Sequence, residues 1–316
     1  MLIADVGGTK TILGIVLDGV IKYHRRFENS AAAGFDALVR TFLDGLPPAY
    51  QRPLMAACIA VAAPVPSGTN VVHLTNRPDW RIDAGTVSRL LGGASVLLIN
   101  DFAASARGLA LLVPADLITL QAGHPDAQGL RLCLGPGTGF GVAALMDGVV
   151  VNSEGGHAGF APSDAEQLEL WRFLGGAERR ITVEHLCSGP GLCAIYGYCR
   201  TRAALPLEPP LTAADVVAHA HQDQDTIART ALALFVRILG AAAGDLALTF
   251  LARGGVYLTG GIAPRLVREL QQTDFLAAFN RKASHSALVA TLPVHVVLRD
   301  DLPLLGCARL VAATFA

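Results

Sequence analysis

The feature of this 316-residue chain that most constrains its fold is an internal repeat of a glycine turn followed by a hairpin. Gly8-Thr9 leads through an apolar run to Asp18-Gly19, and Gly137-Thr138 leads to Asp147-Gly148 at the same offset. Asp-Gly between two apolar runs is a strong signal for a tight hairpin turn. Chance would also produce one such coincidence, but matching apolar runs flank both copies. The repeat therefore predicts two domains of related design, in agreement with the chain length.

A second constraint is the stretch from Val96 to Phe102. Four apolar residues, Val96 to Ile99, predict a strand buried on both faces of a sheet, and a helix is predicted directly after Asn100-Asp101. An aspartate at the carboxyl end of such a strand lies where α/β sheets bind their ligands. Asp101 is therefore either the cap of the next helix or a functional carboxylate, and the local sequence leaves both interpretations open.

The other apolar runs predict alternating strands and helices, which is typical of an α/β protein. Strands are predicted at 2–6, 11–17, 20–27, 55–61, 71–74, 130–134, 140–146, 149–151, 256–259 and 293–298. Helices are predicted at 35–43, 102–112, 165–174, 191–202, 213–220, 227–251 and 303–313, with a further helix capped by Asp83.

Composition narrows the class of protein. A hydrophobic content of 52% with 16% charged residues permits a large core, and a net charge of −1 without a Lys/Arg cluster argues against nucleic-acid binding. The start of the chain does not have the pattern of a signal peptide. The apolar segment 230–251 contains Arg237 and Asp245, so it predicts a buried helix and no membrane span. The six cysteines form no CxxC pair, which indicates reduced thiols in a cytoplasmic protein.

Three glycine turns each follow a predicted strand: Gly7-Gly8-Thr9, Gly137-Thr138-Gly139 and Gly260-Gly261. Glycine lets backbone N–H groups approach an anion such as phosphate, and the two threonine hydroxyls add donors. One such turn alone is typical of an ordinary loop. Three of them at strand ends, in two repeated halves, predict a nucleotide held between domains.

Two charged residues flank the first turn. Asp5 ends its strand facing the turn, and a carboxylate there can hold Mg²⁺, often through water, because this ion keeps much of its hydration shell. Lys10 either assists the phosphates or is a solvated side chain, and the sequence does not decide between these interpretations.

A second constellation is Glu154-Gly155-Gly156-His157, in which two glycines allow both side chains to turn toward one ligand. A metal site is disfavoured because no second His or Cys stands at ligand spacing. Glu184 is by local sequence an exposed glutamate in the first turn of a helix. Together with Asn100 and Asp101, these residues would suit a neutral polyol, since carboxylates and amides accept hydrogen bonds from hydroxyls.

The chain resembles the bacterial glucokinases, which have the hexokinase-like, actin-related ATPase fold. The resemblance covers nearly the whole length and is carried by seven motifs: Asp5-Val6-Gly7-Gly8-Thr9, Leu74-Thr75-Asn76 with Trp80, Ile99-Asn100-Asp101-Phe102, Gly135-Pro136-Gly137-Thr138-Gly139, Glu154-Gly155-Gly156-His157, Leu186-Cys187-Ser188-Gly189-Pro190-Gly191 and Gly260-Gly261-Ile262. It implies an α/β fold of two ribonuclease-H-like domains, mixed β-sheets flanked by helices, with the active-site cleft between them. The small domain is expected at 1–104 plus 302–316, and the large domain at 105–301.

By this resemblance, the chain transfers the γ-phosphoryl of MgATP to the 6-hydroxyl of D-glucose, with Asp101 as general base. The resemblance assigns sugar contacts to Asn76, Asn100, Asp101, Glu154, His157 and Glu184. It assigns the nucleotide to Ala4, Asp5, Val6, Gly7, Gly8, Thr9, Gly137, Thr138, Gly139, Gly260 and Gly261, and Mg²⁺ to Asp5. It further implies a cytoplasmic homodimer of glycolysis that binds glucose and ATP but neither nucleic acid nor membrane.

One departure from related families bears on classification. The ROK sugar kinases carry a cysteine-rich zinc motif after their Gly-His, whereas Gly159-Phe160-Ala161-Pro162 follows His157 here, so no zinc is expected. Two alternatives stay open: a kinase for another hexose, because the acids do not choose among sugars, and a non-catalytic sugar sensor of the same fold. The presence of Asp101 and all three glycine turns argues against the sensor.

Overall fold

The computed structural model describes residues 1–66, 68–75, 77–206, 211–222 and 225–315. Within these residues the chain forms two compact units, unit 1 (Met1–Leu112 with Asp301–Ala316) and unit 2 (Val113–Asp300). The domain ranges expected from the sequence stay a prediction. The units assign the segment 105–112 and residue 301 to unit 1.

Unit 1 is built on a mixed sheet. Its strands, in the part of the chain that the structure describes, are β1 (Leu2–Val6), β2 (Lys10–Leu17), β3 (Val20–Glu28), β4 (Ala56–Val61) and β7 (Ser95–Asn100), in the order β3-β2-β1-β4-β7. The first three form an antiparallel meander, and β4 and β7 run parallel to β1. A separate antiparallel hairpin consists of β5 (Val71–Leu74) and β6 (Arg77–Asp83).

Both faces of this sheet are covered. On one face, Leu2, Leu13 and Ile59 pack with α1 (Phe35–Asp44), α2 (Ala84–Leu90) and the β5–β6 hairpin. On the other face, Ile3 and Cys58 pack with α3 (Asp101–Gly108) and the C-terminal helix α11 (Leu302–Phe315). Helices α3 and α11 touch at backbone distance, since a Cβ at Gly306 would collide with the Ala104 carbonyl.

Unit 2 repeats the same sheet plan. Its strands, over the described residues, are β8 (Leu117–Gln121), β9 (Arg131–Pro136), β10 (Phe140–Met146), β11 (Val149–Ser153), β12 (Gly255–Leu258) and β13 (Val294–Val297). The order is β11-β10-β9-β12-β13-β8, with β9 to β11 as the meander and β12 and β13 parallel to β9. Strand β8 adds an antiparallel edge. The predicted α/β architecture is therefore confirmed, with a mixed sheet flanked by helices in each unit.

The hairpin turns that define the repeat are confirmed by backbone geometry. Asp18 and Gly19 have φ of 52° and 73°, and Asp147 and Gly148 have φ of 50° and 77°. Positive φ at both central residues gives the turn whose twist matches the flanking strands. Asp and Gly tolerate this conformation better than most residues, so both copies of the meander close for the same local reason.

The helices of unit 2 are α4 (Ala165–Phe173), α5 (Gly189–Arg202), α6 (Ala213–Ala220), α7 (Thr226–Phe250), α8 (Val267–Leu270), α9 (Thr273–Asn280) and α10 (Ser286–Val289). Helix α7 is long and apolar enough to cross a membrane by length and composition, but 72% of its most apolar window is buried in the protein. Gly240 and Gly244 let the α9 carbonyls of Phe275 and Phe279 approach its backbone. This helix is a core element of unit 2, as the sequence predicts.

The structure corrects three sequence-based expectations. Strand β7 is an edge strand, and Val96 to Ile99 are each only partly buried, although their side chains pack alternately on the two cores of unit 1. Among the described residues, β7 pairs only with β4, so the expected burial on both faces is only partial. Strands β6 and β8 were not predicted. Strand β6 contains a proline and several exposed polar residues, which are not typical of a strand. Strand β8 is a short strand at the edge of its sheet.

Candidate functional site

The first glycine turn joins β1 to β2 in unit 1. Ala4, Asp5 and Val6 form the carboxyl end of β1, and the Gly7 N–H donates to the Lys10 carbonyl at 3.0 Å. A buried side chain, Asn29, holds the turn from the inside. Its Nδ2 donates to the Gly7 carbonyl at 2.8 Å, and its backbone N–H donates to the Thr9 carbonyl at 2.8 Å.

Asn100 and Asp101 stand where β7 ends and α3 begins. The cap of this helix is Asn100, whose Oδ1 accepts from the N–H groups of Phe102 and Ala103 at 2.9 and 3.0 Å. The alternative in which Asp101 is the cap is therefore wrong, because Asp101 is the first helical residue. Its Oδ1 accepts from Asn100 Nδ2 at 3.0 Å and from the Phe102 N–H at 2.9 Å.

Strand register brings these two groups to one edge of the sheet. Val6 lies beside Val61, and Val61 lies beside Asn100, so the three form a row across β1, β4 and β7. Parallel strands carry the same row to the same sheet edge, and two strand spacings amount to about 10 Å. The Asn100 Nδ2 also donates to the Ala63 carbonyl at 3.1 Å, just beyond β4. The first glycine turn and Asp101 are therefore neighbours at the carboxyl edge of the unit 1 sheet.

The predicted sugar residue Asn76 lies outside the residues that the structure describes. Its neighbour Thr75 donates its N–H to the Ala62 carbonyl at 3.3 Å, which ties the end of the β5 segment to the same carboxyl edge.

The second glycine turn joins β9 to β10 in unit 2, at the position equivalent to the first. The Gly137 N–H donates to the Gly139 carbonyl at 2.8 Å, and the Gly137 carbonyl accepts from the Gly189 N–H at 2.8 Å. Gly189 opens α5, which is capped by Ser188 through the Gly191 N–H at 3.2 Å. The turn and a helix N-terminus are thus bonded together.

The third glycine turn follows β12 in the same sheet. Gly260 has φ of 79°, a conformation that glycine adopts without strain. It packs so closely against the backbone of Gly135 and Pro136 that a Cβ would contact the Pro136 carbonyl oxygen. The Ile262 N–H, one residue beyond Gly261, donates to the Pro136 carbonyl at 3.1 Å. Unit 2 therefore brings its two predicted nucleotide turns, at 137–139 and 260–261, together at one sheet edge.

Glu184 links the second turn to the predicted sugar segment. Its Oε2 accepts from the Phe140 N–H at 2.7 Å, and a Cβ at Gly139 would collide with that oxygen. Its backbone N–H donates to the Gly156 carbonyl at 2.8 Å. Glu184 precedes α5 and is only partly exposed, so the interpretation as an exposed glutamate in the first turn of a helix is wrong.

Glu154 and His157 flank a 3-10 turn at Gly155–His157 and remain largely exposed, with side-chain exposures of 62% and 55%. Their charged ends are 3.9 Å apart, from His157 Nε2 to Glu154 Oε2. The 3-10 turn packs tightly against β10, since a Cβ at Gly156 would collide with the Phe140 carbonyl oxygen. Glycine at 156 therefore lets the segment Glu154–His157 lie directly against Phe140, at the end of the second turn.

The donor chemistry at Asp5 fits Mg²⁺. A single carboxylate beside a turn of backbone N–H groups leaves most coordination positions to water and phosphate oxygens, which this ion prefers. The carboxylate lies near the Cys307 thiol, whose pKa is raised by burial, by the Cys58 thiol and by Asp5. Across the described residues, no group of three or more His, Cys, Asp or Glu side chains could hold a metal ion.

Sequence reasoning missed Asn29 and the adjacent Thr11. Both are fully buried, and the Thr11 hydroxyl donates to Asn29 Oδ1 at 2.8 Å. The only local signal was a polar residue directly after a strand, which is typical of any loop. The partners of Asn29 lie 18 and 22 residues earlier in the chain, so no short motif contains the interaction.

A glucokinase family model matches residues 2–314 of the chain. The glucokinase of Mesorhizobium japonicum is 35% identical, over 98% of this chain and 90% of its own length. A crystal structure of glucokinase from an Antarctic psychrotroph is 30% identical, with a TM-score of 0.83 over 99% of this chain and 98% of its own. A ROK family glucokinase from Streptomyces griseus, in complex with glucose and AMPPNP, shares the fold at 20% identity, with a TM-score of 0.67 over 98% of each chain.

Proposed function

The chain belongs to the glucokinase family and is an ATP-dependent hexose kinase, and from this premise we propose that it transfers the γ-phosphoryl of MgATP to the 6-hydroxyl of D-glucose. The bond between the γ-phosphorus and the bridging oxygen of ATP breaks, and a bond from the sugar oxygen to that phosphorus forms. The products are ADP, glucose 6-phosphate and one proton, which Asp101 accepts.

The observation that carries this proposal is the shared sheet edge in unit 1. The row Val6, Val61 and Asn100 brings the first glycine turn and Asp101 to the same carboxyl edge, about two strand spacings apart. A phosphoryl group held by the turn and a hydroxyl held by Asp101 would then approach one another. Because the transition state is loose, such positioning accounts for most of the catalysis.

Each remaining residue has a role within the proposal. Asn100, Glu154, His157 and Glu184 bind the other sugar hydroxyls, and Asn76 contributes from the segment after Thr75. The turns at 4–9 and 137–139 bind the phosphates, and 260–261 lies by the adenosine. Asp5 would hold Mg²⁺ through water, and the bound ion neutralises charge on the phosphate oxygens.

Replacing Asp101 by Asn tests the proposed base. The amide keeps an oxygen for the Phe102 N–H but cannot take a proton, and loss of a general base lowers rates by about 10²- to 10⁴-fold. We expect kcat to fall by that factor while glucose binding, followed by calorimetry, stays measurable. Asp83→Asn is a matched control, because Asp83 caps α2 through the N–H groups of Gly85 and Thr86 and Asn caps equally well.

A kcat for Asp101→Asn equal to that of the wild type, or an equal loss in Asp83→Asn, would contradict the assignment of the base. A coupled ADP-release assay over a panel of hexoses separates the alternatives. Preference for mannose, fructose or an N-acetylated sugar would make the chain a kinase for that hexose. No turnover with any sugar that binds would make it a sensor.

We further propose that the protein is a cytoplasmic homodimer that supplies glucose 6-phosphate to glycolysis. The support for this is the family resemblance, and light scattering of the purified protein measures the oligomeric state.

A further inference from the structure

Two fully buried polar side chains, Thr11 and Asn29, lie beside the first glycine turn. Burial of an amide without hydrogen-bond partners is costly, so a buried asparagine persists only where its bonds are made. In Asn29 the side-chain oxygen accepts from Thr11, and the side-chain nitrogen donates to Gly7. Both ends of this amide are therefore used to hold one backbone conformation.

These bonds fix the direction of the Gly7–Gly8 peptide. The Gly7 carbonyl points at Asn29 Nδ2, at 2.8 Å. The peptide is trans, and in a trans peptide the carbonyl and the following N–H point in opposite directions. The Gly8 N–H is therefore turned away from Asn29. A second bond, from the Asn29 N–H to the Thr9 carbonyl, fixes the other end of the turn.

We propose that Asn29, held in place by Thr11, is a positioning residue that aims the Gly8 N–H at the phosphates of the nucleotide. This inference rests on the proposed function, because it takes the first turn as a phosphate site. Asparagine suits the task, since an aspartate at 29 would set a carboxylate against the Gly7 carbonyl and would repel phosphate. Loss of the brace weakens binding of phosphates and leaves sugar binding unchanged.

The test compares Thr11→Val with Thr11→Ser. Valine fits β2 but removes the hydroxyl that holds Asn29, whereas serine keeps it. For Thr11→Val we expect KM for ATP to rise about 3- to 10-fold, the factor for loss of one net hydrogen bond, with KM for glucose within twofold of the wild type. Thr11→Ser should match the wild type. Asn29→Asp should raise KM for ATP further, by about 10- to 100-fold.

Binding of ADP and of adenosine decides the inference independently of turnover. We expect Thr11→Val to weaken ADP by the same factor as ATP and to leave adenosine, which has no phosphate, unchanged. Equal losses for ADP and adenosine, or a parallel rise in KM for glucose, would reduce Asn29 to a structural role. Unchanged ADP affinity in both Thr11→Val and Asn29→Asp would overturn the inference. A wild-type protein without kinase activity would instead overturn the proposed function.

Discussion

The two repeated halves hold equivalent glycine turns by different chemistry. The turn at 7–9 is held from within its own meander by neutral groups, the Thr11 hydroxyl and the Asn29 amide, and both are fully buried. The turn at 137–139 is held from outside its meander, by the Glu184 carboxylate and by the backbone of Gly189. The sheet plan is the same in both units, so topology alone does not determine how a turn is braced.

The difference predicts how far a local change spreads. The brace of the first turn stays within the chain around that turn, because Asn29 bonds to Gly7 and Thr9 of the turn and to Thr11 at the start of β2. The brace of the second turn is shared, since Glu184 bonds to Phe140 by its side chain and to Gly156 by its backbone. A change at the first brace should therefore affect one substrate. Removal of the Glu184 side chain should affect both, because that side chain is also a proposed sugar contact.

The largest expected effect is that of Glu184→Ala. Removing the carboxylate leaves the Phe140 N–H without its acceptor, and hydrogen bonds to charged groups are worth about 1.5–3 kcal/mol. We expect kcat/KM to fall by about 10- to 150-fold for ATP and for glucose alike, measured by steady-state kinetics with each substrate varied in turn.

Glu184→Gln is the control, because its side-chain oxygen can still accept from Phe140, and its loss should be smaller for ATP than that of the alanine variant. If Glu184→Ala affected only one substrate, the two turns would be braced with equal independence, and the comparison between them would fail.

The next effect concerns stability and separates Gly156 from Gly137. A Cβ at 156 would collide with the Phe140 carbonyl oxygen, whereas a Cβ at 137 would meet no atom within 4 Å. Overpacking costs about 1–3 kcal/mol, so Gly156→Ala should lower the free energy of unfolding by that amount, measured by urea denaturation. Gly137→Ala should stay close to the wild type. Equal losses at 156 and 137 would show that crowding does not distinguish these positions.

The smallest effect concerns the reactivity of the cysteine thiols, two of which are buried against the strands that precede the two turns. Cys307 donates to the Ala4 carbonyl under β1, and Cys133 contacts the Thr259 hydroxyl beside β9, and both thiols are fully buried. Cys193 is partly exposed, although burial raises its pKa. Because the thiolate is the reactive form, labelling of the native protein should modify Cys193 first and accelerate as pH rises. Cys193→Ala should abolish this first labelling phase. A second thiol that reacts equally fast would show that the packing around Cys133 or Cys307 opens.

Local signals in the sequence predict the repeated part of the fold well. Asp-Gly at 18–19 and 147–148 defines both hairpins, and the apolar runs on either side locate the strands. Signals that depend on distant partners are not readable in this way. Within the residues that the structure describes, β7 pairs only with β4, and nothing in the local sequence of Val96 to Ile99 indicates that position at the edge of the sheet.

The candidate site divides along the same line. Glycine turns and the Glu154-to-His157 segment are recognisable from short motifs, because their chemistry lies in consecutive residues. The sequence did not indicate the brace at Asn29, because it joins the glycine turn, β2 and the 3-10 turn that follows β3. The local sequence alone favoured a solvated helical residue at Glu184, because its contact with Phe140 spans 44 positions of the chain, and only the family resemblance assigned it to the site.

The composition of unit 1 from two separate segments has a consequence for biosynthesis. Helix α11 covers one face of the β1–β4 sheet, but the ribosome adds it only after all of unit 2 (Val113–Asp300). At about 5–20 residues per second, the nascent sheet waits on the order of ten to forty seconds without the side chains of α11 over Ile3, Cys58 and Ala60. Unit 2 can therefore complete its core before unit 1 does, since unit 1 closes only once α11 has been added, and chaperones have that interval in which to bind its apolar face.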